Sequence, residues 1–334
     1  MGSILRGFQN DGSDGSDGSD GSDGSGGSDG SDGSAGVSGI TAYAGRRTSS
    51  LLAQALWTTQ GAITLGATVA ADAVAGLLLA GDSRFERWSR DVRDHQYQFE
   101  LLSGLSFNAT RKELTLSDGI LPDPFAVADP TTKFENNNAL QAALDYVIQQ
   151  AALRQDRMAE ILTQISVPYS FFAMVLNLQP GRHRYTYELM STIFRTSSTV
   201  VMQFKHAWGV RRPTDRSSLI QPVILTPSHG SYPAGHSTQC HFVAEVLKDL
   251  IKKRTAGGGT GVTTAHQPEI DMQLERLADR IGLNRVIAGV HYKDDIDQGK
   301  LLGKRLAKYF IFKSAIAGSA LDWLWRKAVS EQWQ

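Results

Sequence analysis

Apolar residues recur at helical spacing along most of this chain. From residue 139 the run ALQAALDYVIQQAALRQDRMAEILTQI sets Leu140, Leu144, Val147, Ala151, Met158, Ile161, Leu162 and Ile165 close to a 3.6-residue period. That spacing predicts one long amphipathic helix over 139–165. Similar runs predict helices over 187–205, 237–253, 270–290, 297–315 and 319–332, while the two-residue alternation of strands is scarce. Loops are marked by Pro122-Asp123-Pro124, by Gln179-Pro180-Gly181, by the four prolines of 213–233, and by 255–268 with Gly257-Gly258-Gly259. The pattern predicts an all-α fold, a single helical bundle domain over 48–334 with no obvious second domain.

The first 47 residues read differently. Residues 11–34 are nearly pure Gly, Ser and Asp, with no apolar side chain whose burial would offset the entropy of ordering. A flexible tether over 1–47 is therefore expected. A calcium-binding glycine-aspartate roll fits less well, because the period of three lacks the recurring apolar residue. Arg46-Arg47 precede a small-residue apolar stretch over 51–79, interrupted by Gln54, Gln60 and Asp72. Those polar breaks favour a buried bundle helix over a membrane span. The expected location is cytoplasmic, with a weak twin-arginine-like export signal as the alternative.

At 334 residues, with 41% hydrophobic and 20% charged, the chain has enough apolar material for one sizeable core. Its formal charge of zero conceals an asymmetry: residues 11–34 hold seven Asp and no Lys or Arg, so the remainder stands at 0 − (−7) = +7. A diffuse positive surface and a site for an anionic ligand both fit that balance. The single cysteine, Cys240, excludes an intrachain disulfide and a multi-thiolate metal site.

Three short segments carry candidate chemistry: KHAWGVRRP at 205–213, HGSYPAGH at 229–236 and NRVIAGVHYKDD at 284–295. Lys205 and Arg212 are seven apart, which on a continued helix is nearly one face, although Pro213 disfavours helix at Arg212. Pro233-Ala234-Gly235-His236 leads into a helix expected to begin near His236 or Ser237, so unpaired N–H groups around Gly235 suit an anion. His291 and Asp295 are four apart. On one helix face Asp295 would accept from Nδ1 and leave Nε2 as a metal ligand or nucleophile. Arg285 lies about 120° out of register with His291 on an unbroken helix, so a break near Gly289 is needed to turn both inward. Each segment alone also has an ordinary explanation: cations complementing a helix end, a helix-entry turn, a surface His-Asp pair. Together they form a set able to hold a tetrahedral or trigonal-bipyramidal oxyanion.

The order Lys, six residues, Arg-Pro, then Pro-x-Gly-His, then Arg, five residues, His, three residues, Asp resembles the superfamily of vanadium-dependent haloperoxidases and type-2 phosphatidic acid and acid phosphatases. HGSYPAGHSTQ, with His229 seven residues before His236, and GVHYKDDIDQGKLLG are similar to the bromoperoxidase branch. GSYPAGH and RVIAGVHY are also close to bacterial class A acid phosphatases. Ala234 departs from the usual Ser, whose hydroxyl bonds the anion, a loss of roughly 0.5–1.5 kcal/mol. Asn284 replaces the usual Ser before Arg285, a change expected to matter less.

The resemblance implies the helical bundle of the haloperoxidase and acid phosphatase type, with vanadate as cofactor and phosphate able to fill the same site. Lys205, Arg212, Arg285 and the Gly235 amide would hold the equatorial oxygens, beside Ala234. His291 would be the metal ligand, Asp295 its orienting partner, His236 the general acid and base, and His229 an influence on halide use. Hydrogen peroxide, bromide or iodide and a small organic acceptor are the implied partners. A homo-oligomer is also implied, and neither nucleic acid nor a membrane span is expected. The tail LDWLWRKAVSEQWQ suits an interface or the core. In the phosphatase reading His291 attacks phosphorus and His236 protonates the leaving alcohol. An anion-binding scaffold without turnover is a third reading, prompted by Ala234.

Overall fold

The computed structural model describes Thr59 and residues 83–116, 125–131, 136–256 and 266–331. The tether, the Arg46-Arg47 pair, the predicted helix over 51–79 apart from Thr59, and the Pro122-Asp123-Pro124 and Gly257-Gly258-Gly259 loops lie outside the described residues. The chain divides into a unit Ser19–Arg93 and a larger one that includes Asp94–Gln334. In the former, α1 (Ser83–Arg87) is followed by the opening of α2 (Arg90–Leu102), where Arg93 donates to Phe85 O at 3.0 Å.

The larger unit is all-α in class. Its helices are α3 (Asn137–Gln150), α4 (Arg154–Thr163), α5 (Tyr169–Leu176), α6 (Arg184–Trp208), α7 (Gly235–Ala256), α8 (Gln267–Ile287), α9 (Lys293–Lys313) and α10 (Ala320–Ser330). α7 is the central element. Every residue from Gly235 through Ala244 is buried, and no Asp, Glu, Lys or Arg precedes Glu245, as a helix covered on all sides requires. α9 crosses α7 at backbone contact. A Cβ at Gly299 would lie 2.6 Å from Ala234 O, and one at Gly303 2.3 Å from Thr238 O, so only glycine permits that approach. The crossing brings the N-terminal ends of two helices together, and the site is built there.

Two features differ from the sequence pattern, and a third decides between two alternatives it left open. The long helix over 139–165 is two helices, divided by a 3-10 turn at Ala151–Leu153 that contains neither Gly nor Pro. Tertiary packing accounts for the division. Leu144 and Val147 of α3 pack with Ile220, Val286 and Tyr292, whereas Ile161 of α4 packs with Ile287, Ala288 and Val290. A small antiparallel sheet also stands before the bundle, β1 (Leu105–Asn108), β2 (Glu113–Leu116) and β3 (Phe125–Ala126) in the order β1-β2-β3. Leu105 pairs with Leu116 and Leu114 with Phe125. Finally, Trp323 and Trp325 of the tail are 1% and 5% exposed, so the core takes them within one chain. Among the described residues no helix is long and apolar enough to cross a membrane.

Candidate active site

Lys205 sits in the last turn of α6, which ends at Trp208 with Gly209 in the left-handed region at φ +58°. The helix therefore does not continue to Arg212, whose backbone is extended. Lys205 and Arg212 are brought together by the loop instead. Lys205 Nζ donates to Gly230 O at 2.8 Å and Ser231 O at 3.1 Å, so the ammonium fastens the second segment to the first. Ser231 N in turn donates to Val210 O at 2.9 Å. The Arg212 backbone is held by Asp215, whose Oδ2 accepts from Arg212 N at 2.9 Å.

The second segment enters α7 at Gly235, one or two residues earlier than the sequence suggests. Ala234 N donates to Asp295 O at 3.0 Å, which ties the start of α7 to the start of α9. Ala234 itself is fully buried among Leu144, Val147, Val286 and Ile296. The N–H groups of the first turn of α7 have no partner within the helix and meet its positive end. His236 is buried, and its Nε2 stands 2.7 Å from Gln164 O at the end of α4. A carbonyl only accepts, so Nε2 carries the proton and Nδ1 is the nitrogen left to exchange one. Cys240 lies one turn further inside, where burial pushes its thiol up, out of reach of thiolate chemistry.

The third segment contains the predicted break. Val290 N donates to Arg285 O at 3.2 Å and Gly289 N to Val286 O at 2.9 Å, with Gly289 at φ +89°. This is a Schellman stop, and it turns the chain sharply after α8. His291 consequently lies in the connection before α9 and not on a helix face shared with Asp295. The expected bond forms by another route. Asp295 is in the first turn of α9, and its Oδ2 accepts from His291 Nδ1 at 2.8 Å and from Tyr292 N at 2.9 Å. Both side chains are fully buried. With Nδ1–H given to a carboxylate, His291 Nε2 keeps its lone pair.

Arg212 connects these pieces. Its NH1 donates to Val290 O at 2.7 Å and lies 3.4 Å from His291 Nε2, while NH2 is 3.2 Å from His229 Nδ1 and Nε donates to His229 O at 3.1 Å. Lys205, Arg212, His229, His291 and Asp295 thus form one connected wall. His236 and Arg285 belong to a second wall anchored on α4, where Arg285 NH2 donates to Ile161 O at 3.0 Å. Lys205 and Arg212 are 2% exposed and Arg285 1%, and the carbonyls of Gly230, Val290 and Ile161 that accept from them carry no formal charge. The three cations are thus held inside the fold, where a buried charge is costly unless it is paired. Burial, followed by the Asp295 charge, also pushes the phenols of Tyr232 and Tyr292 up, so both stay protonated around the site.

Asn284, which opens the third segment, and Gln164, which belongs to no motif, complete the second wall. Asn284, fully buried, donates from Nδ2 to Glu160 Oε2 at 3.0 Å and to Gln164 Oε1 at 2.9 Å. It is therefore no neutral replacement. Gln164 lies some 120 residues from Asn284 in sequence, and neither its spacing nor its neighbours single it out.

Fold and site together define a protein of all-α class in which the three segments meet near the starts of α7 and α9. Residues 199–316 match the family described as the VCPO second helical-bundle domain. The vanadium-dependent bromoperoxidase of Ascophyllum nodosum is 28% identical over 116 residues, covering 29% of this chain. The match spans only 20% of that relative's length. A solved structure, the first transmembrane PAP2-type phosphatidylglycerolphosphate phosphatase from Bacillus subtilis, aligns over 56% of this chain and 92% of its own. Its TM-score is 0.43 at 20% identity. The likeness to the VCPO second helical-bundle domain lies in residues 199–316 of this chain.

Proposed function

We propose that the chain is a vanadate-dependent haloperoxidase that uses hydrogen peroxide to oxidise bromide or iodide to hypohalous acid. The observation that carries this reading is the environment of His291. Its Nδ1–H is committed to Asp295 and its Nε2 lone pair lies against Arg212, which also contacts His229. A neutral imidazole fixed in that tautomer is what a metal requires of a histidine ligand.

The residues present fit vanadate. Its negative charge answers Lys205, Arg212 and Arg285, and Ser231 Oγ is a buried hydroxyl with no partner, a donor in keeping with an oxyanion nearby. In this reading Lys205, Arg212, Arg285 and the Gly235 amide hold the anion's oxygens, with Ala234 contributing backbone only, and His291 Nε2 is the ligand. When bound, vanadate supplies a Lewis acid that polarises hydrogen peroxide toward attack by halide. His236 moves protons at Nδ1, since Nε2–H is held by Gln164 O. Asp295 keeps His291 in the required tautomer. His229, half-buried against Arg212, tunes the cation nearest His291 and through it the halide step.

The same His291 lone pair serves equally as a nucleophile toward phosphorus, so phosphomonoester hydrolysis is the second reading, with His236 protonating the leaving alcohol. One experiment separates the two. Purified protein is assayed with and without orthovanadate for bromide oxidation by peroxide and for hydrolysis of an aryl phosphate. Vanadate-dependent bromide oxidation is expected. Brisk phosphate release with no halide oxidation at any vanadate concentration selects the phosphatase.

A further inference from the structure

The amide of Gln164 is fully buried, and its Nε2 has no hydrogen-bond partner. Which end of that amide is nitrogen follows from its neighbours. Glu160 is held by Arg280, with Nε 2.8 Å from Oε2, and the Arg280 hydrogen bond keeps the carboxyl below its usual range. An ionised carboxylate only accepts, so the Asn284 atom 3.0 Å from Glu160 Oε2 is Nδ2, and Asn284 Oδ1 faces Arg157 NH1 at 3.4 Å. Asn284 Nδ2 also reaches Gln164 at 2.9 Å, which makes that Gln164 atom the oxygen. A relay from an ion pair thus fixes the orientation of Gln164 and leaves Nε2 as an oriented donor.

The position of this donor is specific. The carbonyl of the same residue holds His236 Nε2 at 2.7 Å, and its amide is clamped by the residue immediately before Arg285. Gln164 therefore sits on the wall that carries two members of the cage. A buried donor with no acceptor in the protein is unfavourable, and an acceptor-only ligand removes the penalty. We propose that Gln164 Nε2 donates a hydrogen bond to an oxygen of the anion held in the cage. It thereby supplies the neutral donor that Ala234 does not. This contact rests on the reading of the site as an oxyanion cage, and it holds for vanadate and for phosphate alike.

Equilibrium binding of orthovanadate and of inorganic phosphate tests it without reference to turnover. Gln164→Leu is expected to weaken both anions by about three- to tenfold, the range of one neutral hydrogen bond. Should Gln164→Leu fail to fold, Gln164→Glu keeps the shape and the acceptor toward Asn284 while placing an acceptor where the donor stood. Its anion binding is expected to fall further than tenfold. Wild-type affinity for both anions in either folded variant overturns the contact alone. Failure of the wild-type protein to bind either anion overturns the cage reading, and the contact with it.

Discussion

His291 and Asp295 are joined by a 2.8 Å hydrogen bond in which the carboxylate oxygen also accepts from the backbone N–H of Tyr292, so one atom sets both ring orientation and chain direction. Asp295→Asn removes the charge that holds Nδ1–H and lets the other tautomer compete. Substituting an outer partner of a ligating histidine typically costs about 10–100-fold in metal affinity or activity. That loss is expected here, with vanadate affinity measured by titration and kcat by bromide oxidation or phosphate release. A variant within twofold of wild type by both measures would show that Asp295 orients nothing of importance.

Arg212 spreads its protons in three directions, to Val290 O, to His229 and toward His291 Nε2. A lysine brings one point charge on a flexible stem and cannot reproduce a planar fork. Arg212→Lys is expected to keep the fold and lose more than about tenfold in kcat/KM. Retained catalysis would mean that the site needs only positive charge at this position.

His229 is the residue that separates halide chemistry from phosphoryl transfer in the proposal. It contacts Arg212 at 3.2 Å, so His229→Ala is expected to change the relative rates with bromide and iodide while leaving vanadate bound. An unchanged bromide-to-iodide ratio would remove His229 from the halide step.

Much of the bundle was legible because amphipathic helices carry their own period. α6, α7, α9 and α10 stand within a few residues of the predicted runs. The split between α3 and α4 was not legible: Ala151-Ala152-Leu153 has the composition of helix interior, and the residues on either side pack against partners roughly 70 to 150 residues away. The strands were missed because LSFN and ELTL alternate over only four residues each. At the site, Gly289 could be read as a break because Arg285 and His291 had to meet. Asn284 and Gln164 could not, because their meaning lies in a hydrogen bond between residues with no sequence relation.

Gly289 tests that reading of the break. A Cβ there would meet Arg154 NH2 at 3.0 Å and Ile220 Cγ2 and Pro222 Cα at 3.3 Å, on a backbone at φ +89°. Left-handed strain on an L-residue costs roughly 1–2 kcal/mol before any clash. Gly289→Ala is therefore expected to lower the urea midpoint and to reduce activity through displacement of His291. An unaltered midpoint would mean that the stop is set elsewhere than by this glycine.

Burial raises the Glu275 carboxyl, but hydrogen bonds from Lys248, Lys300 and Lys304 outweigh it and hold the group well below its ordinary 4.5. These bonds are 2.8, 2.8 and 2.7 Å long and tie α7, α8 and α9 together behind the site. A carboxylate whose folded pKa is depressed stabilises the protein above its unfolded value, and that contribution fades as pH falls toward the folded one. Asp279 is depressed for the same kind of reason, chiefly by its hydrogen bond from His241, and adds in the same direction. Glu275→Gln leaves three ammonium groups facing a neutral amide, so its Tm at pH 7 is expected to lie below that of the wild-type protein. Below about pH 4.5 the wild-type carboxylate begins to lose its own advantage, and the two melting curves should converge. High salt should narrow the gap at pH 7 as well, because the cluster is partly exposed. Equal Tm values at pH 7 and low salt would show that the three lysines contribute no net stability through Glu275.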